Sequence, residues 1–197
     1  MNKKLVRVAA AVAALLAVPA FAQSEGPWMV RARAVNLNSA NGDSTGLGLS
    51  INDKVIPEVD ISYFIRPNIA AELILTYPQK HDVRSFGTKI GTLKHLPPTL
   101  TLQYHFAPTA TVRPYVGAGV NYTNFSSVNL PAGVNVDRNS WGLAVQAGVD
   151  IAVAKNVYLN FDLKKVQIRT DVSAAGTKVG TFKVDPLLFG VGVGYRF

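Results

Sequence analysis

The sequence predicts an all-β chain: an eight-stranded antiparallel transmembrane β-barrel of up-and-down topology, carried behind a cleaved signal peptide. Three observations predict it. The final segment sets Leu187, Phe189, Val191, Val193, Tyr195 and Phe197 on one face and mostly glycine, then Arg196, on the other. Such a strand has one side for lipid and one for a crowded lumen. Seven earlier segments show the same period of two, and the connections between them alternate short and long. That asymmetry matches barrels with short periplasmic turns and long external loops.

The amino-terminal 22 residues stand apart. Lys3, Lys4 and Arg7 precede an apolar run from Val8 to Val18, and Ala20-Phe21-Ala22 offers small residues for cleavage before Gln23. This is the pattern of a secretory signal, too short to span a bilayer as a helix. The expected division is therefore 1–22 signal peptide and 23–197 barrel. The signal holds three basic and no acidic residues, so the formal charge of +8 falls to 8 − 3 = +5. That moderate charge does not suggest nucleic acid; it suits basic loops near anionic lipopolysaccharide. The chain has no cysteine, which removes disulfides, thiol catalysis and cysteine metal sites. After the signal no apolar stretch reaches 18 residues, so only a closed barrel could cross a membrane.

The strands follow in order. The first, about 28–37, alternates Trp28, Val30, Ala32 and Ala34 with Arg31 and Arg33. The second, about 55–65, sets Val59, Ile61, Tyr63 and Ile65 against Glu58, Asp60 and Ser62, and Arg66-Pro67-Asn68 turns it. The third, about 68–77, carries Glu72 opposite an apolar face. The fourth, about 95–106, alternates Leu100, Leu102, Tyr104 and Phe106 with Thr99, Thr101, Gln103 and His105. The fifth (112–125) and sixth (139–152) set apolar residues against Gly117, Gly119 and Asn121, then Gly142, Gln146, Gly148 and Asp150. The seventh, about 157–170, carries Asn160, Asp162 and Lys164, and Lys164-Lys165 breaks the phase, which predicts a bulge there. The long connections are 38–54, 78–94, 126–138 and 171–181. The same alternation would suit a soluble eight-stranded barrel with its faces reversed. The glycine-rich polar face, the apolar face continuous across eight strands and the unequal connections favour the membrane.

Several stretches resemble the OmpW family of small outer-membrane proteins: Trp28-Met29-Val30-Arg31-Ala32-Arg33, His95-Leu96-Pro97-Pro98 through Gln103-Tyr104-His105-Phe106, Arg113-Pro114-Tyr115 through Asn121-Tyr122, and the Tyr195-Arg196-Phe197 ending. The resemblance implies an eight-stranded barrel in the outer membrane of a Gram-negative bacterium that passes small hydrophobic molecules. Even strand number puts both termini in the periplasm. Tyr195 and Phe197 resemble the terminal aromatic signal read by the barrel-insertion machinery, and outer-membrane lipid is the other expected partner.

Strand direction predicts a polar plug in the middle and periplasmic half of the lumen from Arg31, Arg33, Asp60, Glu72, Gln103, Gln146, Asp150, Asp162 and Arg196, with Glu58 and Lys164 higher. Opposite charges in so narrow a lumen should pair; a purely structural network would look the same. Above it, Val35, Leu37, Ile74 and Leu188, with Pro97 and Ala144, predict an apolar pocket. Pro97 and Pro98 lack backbone donors and predict a weak lateral seam, although proline also simply begins strands. His81, His95 and His105 are expected not to converge, and no catalytic motif, cofactor site or metal site is indicated. Gly87-Thr88-Lys89-Ile90-Gly91-Thr92 and Gly176-Thr177-Lys178-Val179-Gly180-Thr181 read as hairpin turns rather than phosphate loops. The expected function is an outer-membrane channel for small hydrophobic molecules with lateral release; the alternative is a structural or adhesive barrel with a sealed lumen.

Overall fold

The structure, a computed structural model, describes residues 25–197; the expected signal peptide lies outside them. The strands are β1 (Trp28–Asn38), β2 (Gly42–Asp43), β3 (Leu49–Ile51), β4 (Lys54–Arg66), β5 (Ile69–Leu75), β6 (Gln79–Ser85), β7 (Thr88–Leu96), β8 (Thr99–His105), β9 (Val112–Asn129), β10 (Val134–Val136), β11 (Asn139–Ala154), β12 (Val157–Val166), β13 (Arg169–Ala174), β14 (Thr177–Lys183) and β15 (Leu187–Arg196). Eight of them close a barrel in the order β1, β4, β5, β8, β9, β11, β12, β15, with β15 pairing back to β1. The closing ladder runs from Met29↔Arg196 to Asn38↔Leu187. Trp28 and Phe197 add reciprocal backbone bonds of 3.0 and 2.8 Å at its end. Closure gives each of the eight barrel strands a partner on both sides, the condition for β-structure in lipid.

The wall is inside out relative to a soluble protein. Ile61, Leu73, Leu102, Val120, Leu143 and Phe189 are exposed, while Arg31, Asp60, Glu72 and Asn160 are fully buried. Aromatic pairs mark the two ends of the apolar band: Trp28 against Tyr63 at the short-turn end and Tyr122 against Trp141 at the long-loop end, 4.8 and 4.9 Å apart.

The long connections are not irregular. β9 has 18 residues, well beyond the 9–11 that cross a bilayer, and its surplus pairs with β7. The β6–β7 and β13–β14 hairpins turn at Phe86-Gly87 and Ala175-Gly176, where all four residues have positive φ, as a two-residue turn matching strand twist requires. Each hairpin then carries a register shift two to four residues on, at Lys89/Gly91 and Lys178/Gly180. The two similar sequence runs are thus two copies of one turn-and-bulge device.

In these extensions the hydrophobic phase reverses. Val83, Leu93, Phe125, Val172 and Phe182 point inward and form one buried cluster with Val35, Leu37, Ala144 and Leu188. The reversal corrects the expected bulge at Lys164-Lys165. Both residues pair in register with Gln146 and Val145, and the β11–β12 shift lies at Ala152/Ala154 instead. Lys164 and Val166 are buried and Lys165 exposed, so the pleat continues. What changes there is the solvent outside the strand, from lipid to water.

The wall lacks a ladder where β5 and β8 give way to β6 and β7. β5 and β8 pair up to Ile74↔Thr99, and β6 and β7 resume at Gln79↔His95. Residues 75–78 and 96–98 between them do not pair with one another. Pro78, Pro97 and Pro98 fall in this interval and have no N–H to give. On the far side of Pro98 the sheet is intact, since its carbonyl accepts the Tyr122 N–H at 3.1 Å.

Candidate functional site

The lumen holds three layers. The middle layer is a charged network hung on β1. Arg31 and Arg33 share one face of that strand, and the facing registers Arg31↔Asp60 and Arg33↔Glu58 set carboxylates beside them. Arg31 forks onto Asp150, Nε to Oδ1 at 3.0 Å and Nη2 to Oδ2 at 2.7 Å. Its Nη1 donates to Asp60 at 3.0 Å, to Ser62 at 2.8 Å and to Glu72 at 3.4 Å. Arg33 donates to Asn160 at 2.6 Å and to Glu58 at 2.8 Å. It also lies 2.9 Å from Asp60 Oδ2, off the hydrogen-bond direction. Glu72 accepts from Thr101 at 3.0 Å and from Gln146 at 2.7 Å. Lys164 bridges Glu58 at 2.8 Å and Asp162 at 3.4 Å. Tyr115 donates to Asp162 at 2.8 Å and accepts from Asn160 at 3.0 Å. A Cβ on Gly148 would sit 2.4 Å from the Tyr115 ring, so glycine there makes room for the tyrosine.

The layer at the turn end is separate. Arg196 does not join the network above it; it pairs with Glu25 at 3.1 Å and stacks 3.8 Å over Phe64. Glu25 also accepts a fork from Arg113 at 2.7 Å on both oxygens, and a bond from Tyr158 at 2.7 Å. The Arg113 bonds, with Tyr158 and the two guanidinium charges, hold the Glu25 carboxyl below its ordinary range against the opposing effect of burial. Gln103 turns to His105 at 3.1 Å rather than to the arginines.

The layer toward the loop end is an apolar cleft. Leu37, Ile56, Ile74, Pro97, Val166, Ile168 and Leu188 line it, with Glu58 and Lys164 at its border with the charged network. Val35 and Ala144 belong to the same buried cluster without lining the cleft. The space is narrow, with a cavity volume of about 20 Å³, room for a water molecule. Ile74, Thr76, Pro97 and Thr99 line it too, so it lies against the stretch of wall that lacks a ladder.

His81 and His95 do converge, contrary to expectation, and His105 does not join them. Their rings stack at 4.6 Å, 16° from parallel. The 78–94 connection is a regular hairpin, which brings the two histidines onto one inward face. At this level Lys80 pairs with Lys94 on the outside, too polar a surface for hydrocarbon, so the pair lies beyond the membrane. Burial, with His81 and Lys54 adding to it, pushes the His95 imidazole down to about 3.

Glu58 and Lys164, which strand direction places higher, join the network, and Ser62, Thr101, Tyr115 and Asn160 complete it beyond the charges singled out from sequence. Each lies on the inward phase of its strand, so the period of two could have found them; neutral side chains simply carried no signal of pairing. Glu25 precedes the first strand and had no such signal.

The OmpW family model matches residues 24–197. The chain belongs to the OmpW family. An uncharacterised outer-membrane protein of Sinorhizobium fredii is 42% identical, over 95% of this chain and 90% of its own. The dibenzothiophene metabolism operon protein PahQ of Pseudomonas aeruginosa is 32% identical, over 92% and 93%. Among solved structures, the outer membrane protein OprG of Pseudomonas aeruginosa superposes with a TM-score of 0.72 at 25% identity, covering 88% of this chain and 97% of that one. This OmpW-family chain is accordingly an outer-membrane barrel of a Gram-negative bacterium, in contact with the lipid and lipopolysaccharide of that membrane.

Proposed function

We propose that the protein is a channel for uptake of small hydrophobic molecules, with its long loops outside the cell and both termini in the periplasm. A solute enters the apolar cleft through the loop-end extensions, meets the charged network as a plug, and leaves sideways into the membrane beside Pro97 and Pro98. The observation that carries this reading is the juxtaposition of three things: an apolar cleft, a charged floor beneath it, and a wall segment without a ladder at its side. An eight-stranded barrel has little room to spare beyond its own side chains, and here buried, paired charges fill the middle, so axial passage is the harder route. The name of PahQ links a relative to a polycyclic aromatic sulfur compound, a substrate class that suits such a cleft. Nothing in this route makes or breaks a covalent bond, and the protein acts as a conduit, not an enzyme. Tyr195 and Phe197 serve as the mark read by the insertion machinery.

The experiment is uptake of a panel of small hydrophobic compounds by cells with and without the protein. A variant with Pro97→Val and Pro98→Thr restores backbone donors at the seam. Protein-dependent uptake that falls several-fold in the variant is the expected result; protein-dependent uptake that does not change overturns lateral release.

A second reading has its own observation. The cleft at rest holds only about 20 Å³, as a sealed structural or adhesive barrel would. Uptake indifferent to the protein, with surface phenotypes arising only from loop changes, favours that reading.

A further inference from the structure

Resting on the channel reading above, we infer that the cleft selects small apolar molecules bearing one uncharged hydrogen-bonding group, such as a phenol, alcohol or ketone, and that His95 recognises that group. Five polar side chains line the cleft: Glu58, Thr76, His95, Thr99 and Lys164. Four are already engaged. Glu58 and Lys164 bridge each other at 2.8 Å. Thr76 donates to the Pro57 carbonyl at 2.8 Å, and Thr99 accepts from Asn121 at 2.8 Å. His95 is fully buried, and among the described residues neither of its ring nitrogens has a partner. Buried polar groups are rarely left so, and a ligand that supplies the bond gains what the folded protein forgoes.

The ring is held for this task. It stacks on His81, whose Nδ1 is fixed 3.0 Å from the Asn52 carbonyl, and the Phe125 ring meets it edge-on at 6.3 Å. A neutral imidazole offers one donor and one acceptor, the complement of a hydroxyl. The charged residues of the cleft favour no ion, because Lys164 is balanced by Glu58 and Asp162. A metal is a poorer fit: the two imidazoles lie nearly parallel, so their lone pairs do not converge on one point. Among the described residues no third His, Cys, Asp or Glu joins them.

The test compares 1-naphthol with naphthalene, matched in apolar body and differing by one hydroxyl. The protein-dependent rate is uptake by producing cells less uptake by cells lacking the protein. For the wild type the naphthol rate exceeds the naphthalene rate by about three- to tenfold, the worth of one hydrogen bond. His95→Phe keeps the stack and removes both nitrogens; the naphthol-to-naphthalene ratio falls to about one. His95→Gln, which keeps a donor and an acceptor, retains part of the preference. A wild-type ratio at or below one overturns the inference with no variant needed, as does an unchanged ratio in His95→Phe; in both cases protein-dependent naphthalene uptake leaves the channel standing. Uptake of neither compound depending on the protein overturns the channel and the inference with it.

Discussion

Replacing Arg31 with methionine tests whether the charged network stabilises the barrel through that one residue. Arg31 is wholly buried and gives five hydrogen bonds, two to Asp150 and one each to Asp60, Ser62 and Glu72. Three cations, Arg31, Arg33 and Lys164, face five carboxylates, Glu58, Asp60, Glu72, Asp150 and Asp162. Methionine fills much of the same space but leaves five carboxylates to two cations. Breaking a buried pair by removing one partner costs about 3–5 kcal/mol. At roughly 1.4 kcal/mol per factor of ten, the folded population relative to the unfolded drops by about two to three and a half orders of magnitude. Urea unfolding in lipid vesicles reads this directly, because Trp28 and Trp141 both lie on the lipid-facing wall and report loss of the membrane environment. Arg31→Lys keeps the charge and loses the fork, with an expected cost in between. Adding Asp150→Asn to Arg31→Met removes one of the stranded charges and recovers part of the loss. A cost below about 1 kcal/mol for Arg31→Met, or no recovery in the double variant, refutes the assignment of stability to charge pairing.

Other perturbations reach other layers. Gly148→Ala places a methyl 2.4 Å from the Tyr115 ring and 2.7 Å from the Phe161 carbonyl; an overpacked core costs about 1–3 kcal/mol, and unfolding by urea at an unchanged midpoint contradicts it. His95 stays neutral in the fold down to about pH 3 but takes up a proton near pH 6.5 when the hairpin opens. Its contribution is therefore complete above pH 6.5 and is lost as pH falls, by about 2 kcal/mol at pH 5. Amide protection across residues 79–96, taken relative to the intrinsic exchange rate at each pH, should fall over that window in the wild type and fall less in His95→Phe, where only His81, also held down by burial, remains to take up a proton; an equal fall in both counts against His95.

The barrel was legible because lipid writes a strict pattern: on β1, β4 and β15 each lipid-facing position must be apolar and each lumen position need not be. The loop extensions obey the opposite rule. On β6 the outward Lys80, Asp82 and Arg84 meet water, and Gln79, His81 and Val83 turn inward. A reading tuned to apolar-out strands passes over such a segment as loop, and so missed that His81 and His95 share a face. The partners in the charged network were hidden for a different reason. Arg31 and Asp150 are 119 residues apart, and closure of the barrel, not local spacing, brings them together. Phase alone showed that both point inward; only the registers of the three ladders that run from β1 through β15 and β12 to β11 say that they touch.

The same reversal of phase accounts for where an apolar cleft can exist at all. In the membrane the outside of the wall consumes the apolar residues, so the lumen is left with polar groups that must pair among themselves, and in the proposed channel these form the plug. Above the lipid the apolar residues turn inward and need cover, which the loop hairpins supply. The boundary between the two regimes falls at Lys164 and Val166 on β12, and at Thr99 and His95 on the opposite wall. There a greasy interior meets a charged floor, and the prolines at 78, 97 and 98 interrupt the ladder at that same height. In the proposed channel a solute drawn into the upper interior therefore reaches its lowest apolar point beside a pair of strands whose separation there breaks no ladder bonds. The direction of release in the proposed channel follows from the height of that boundary, and moving it should move the exit. Replacing Lys164 with leucine extends the apolar lining one layer down and leaves Glu58 to Arg33 alone; solute uptake through the seam should slow as the solute sinks below it, while uptake that is unchanged or faster would separate the exit from the boundary.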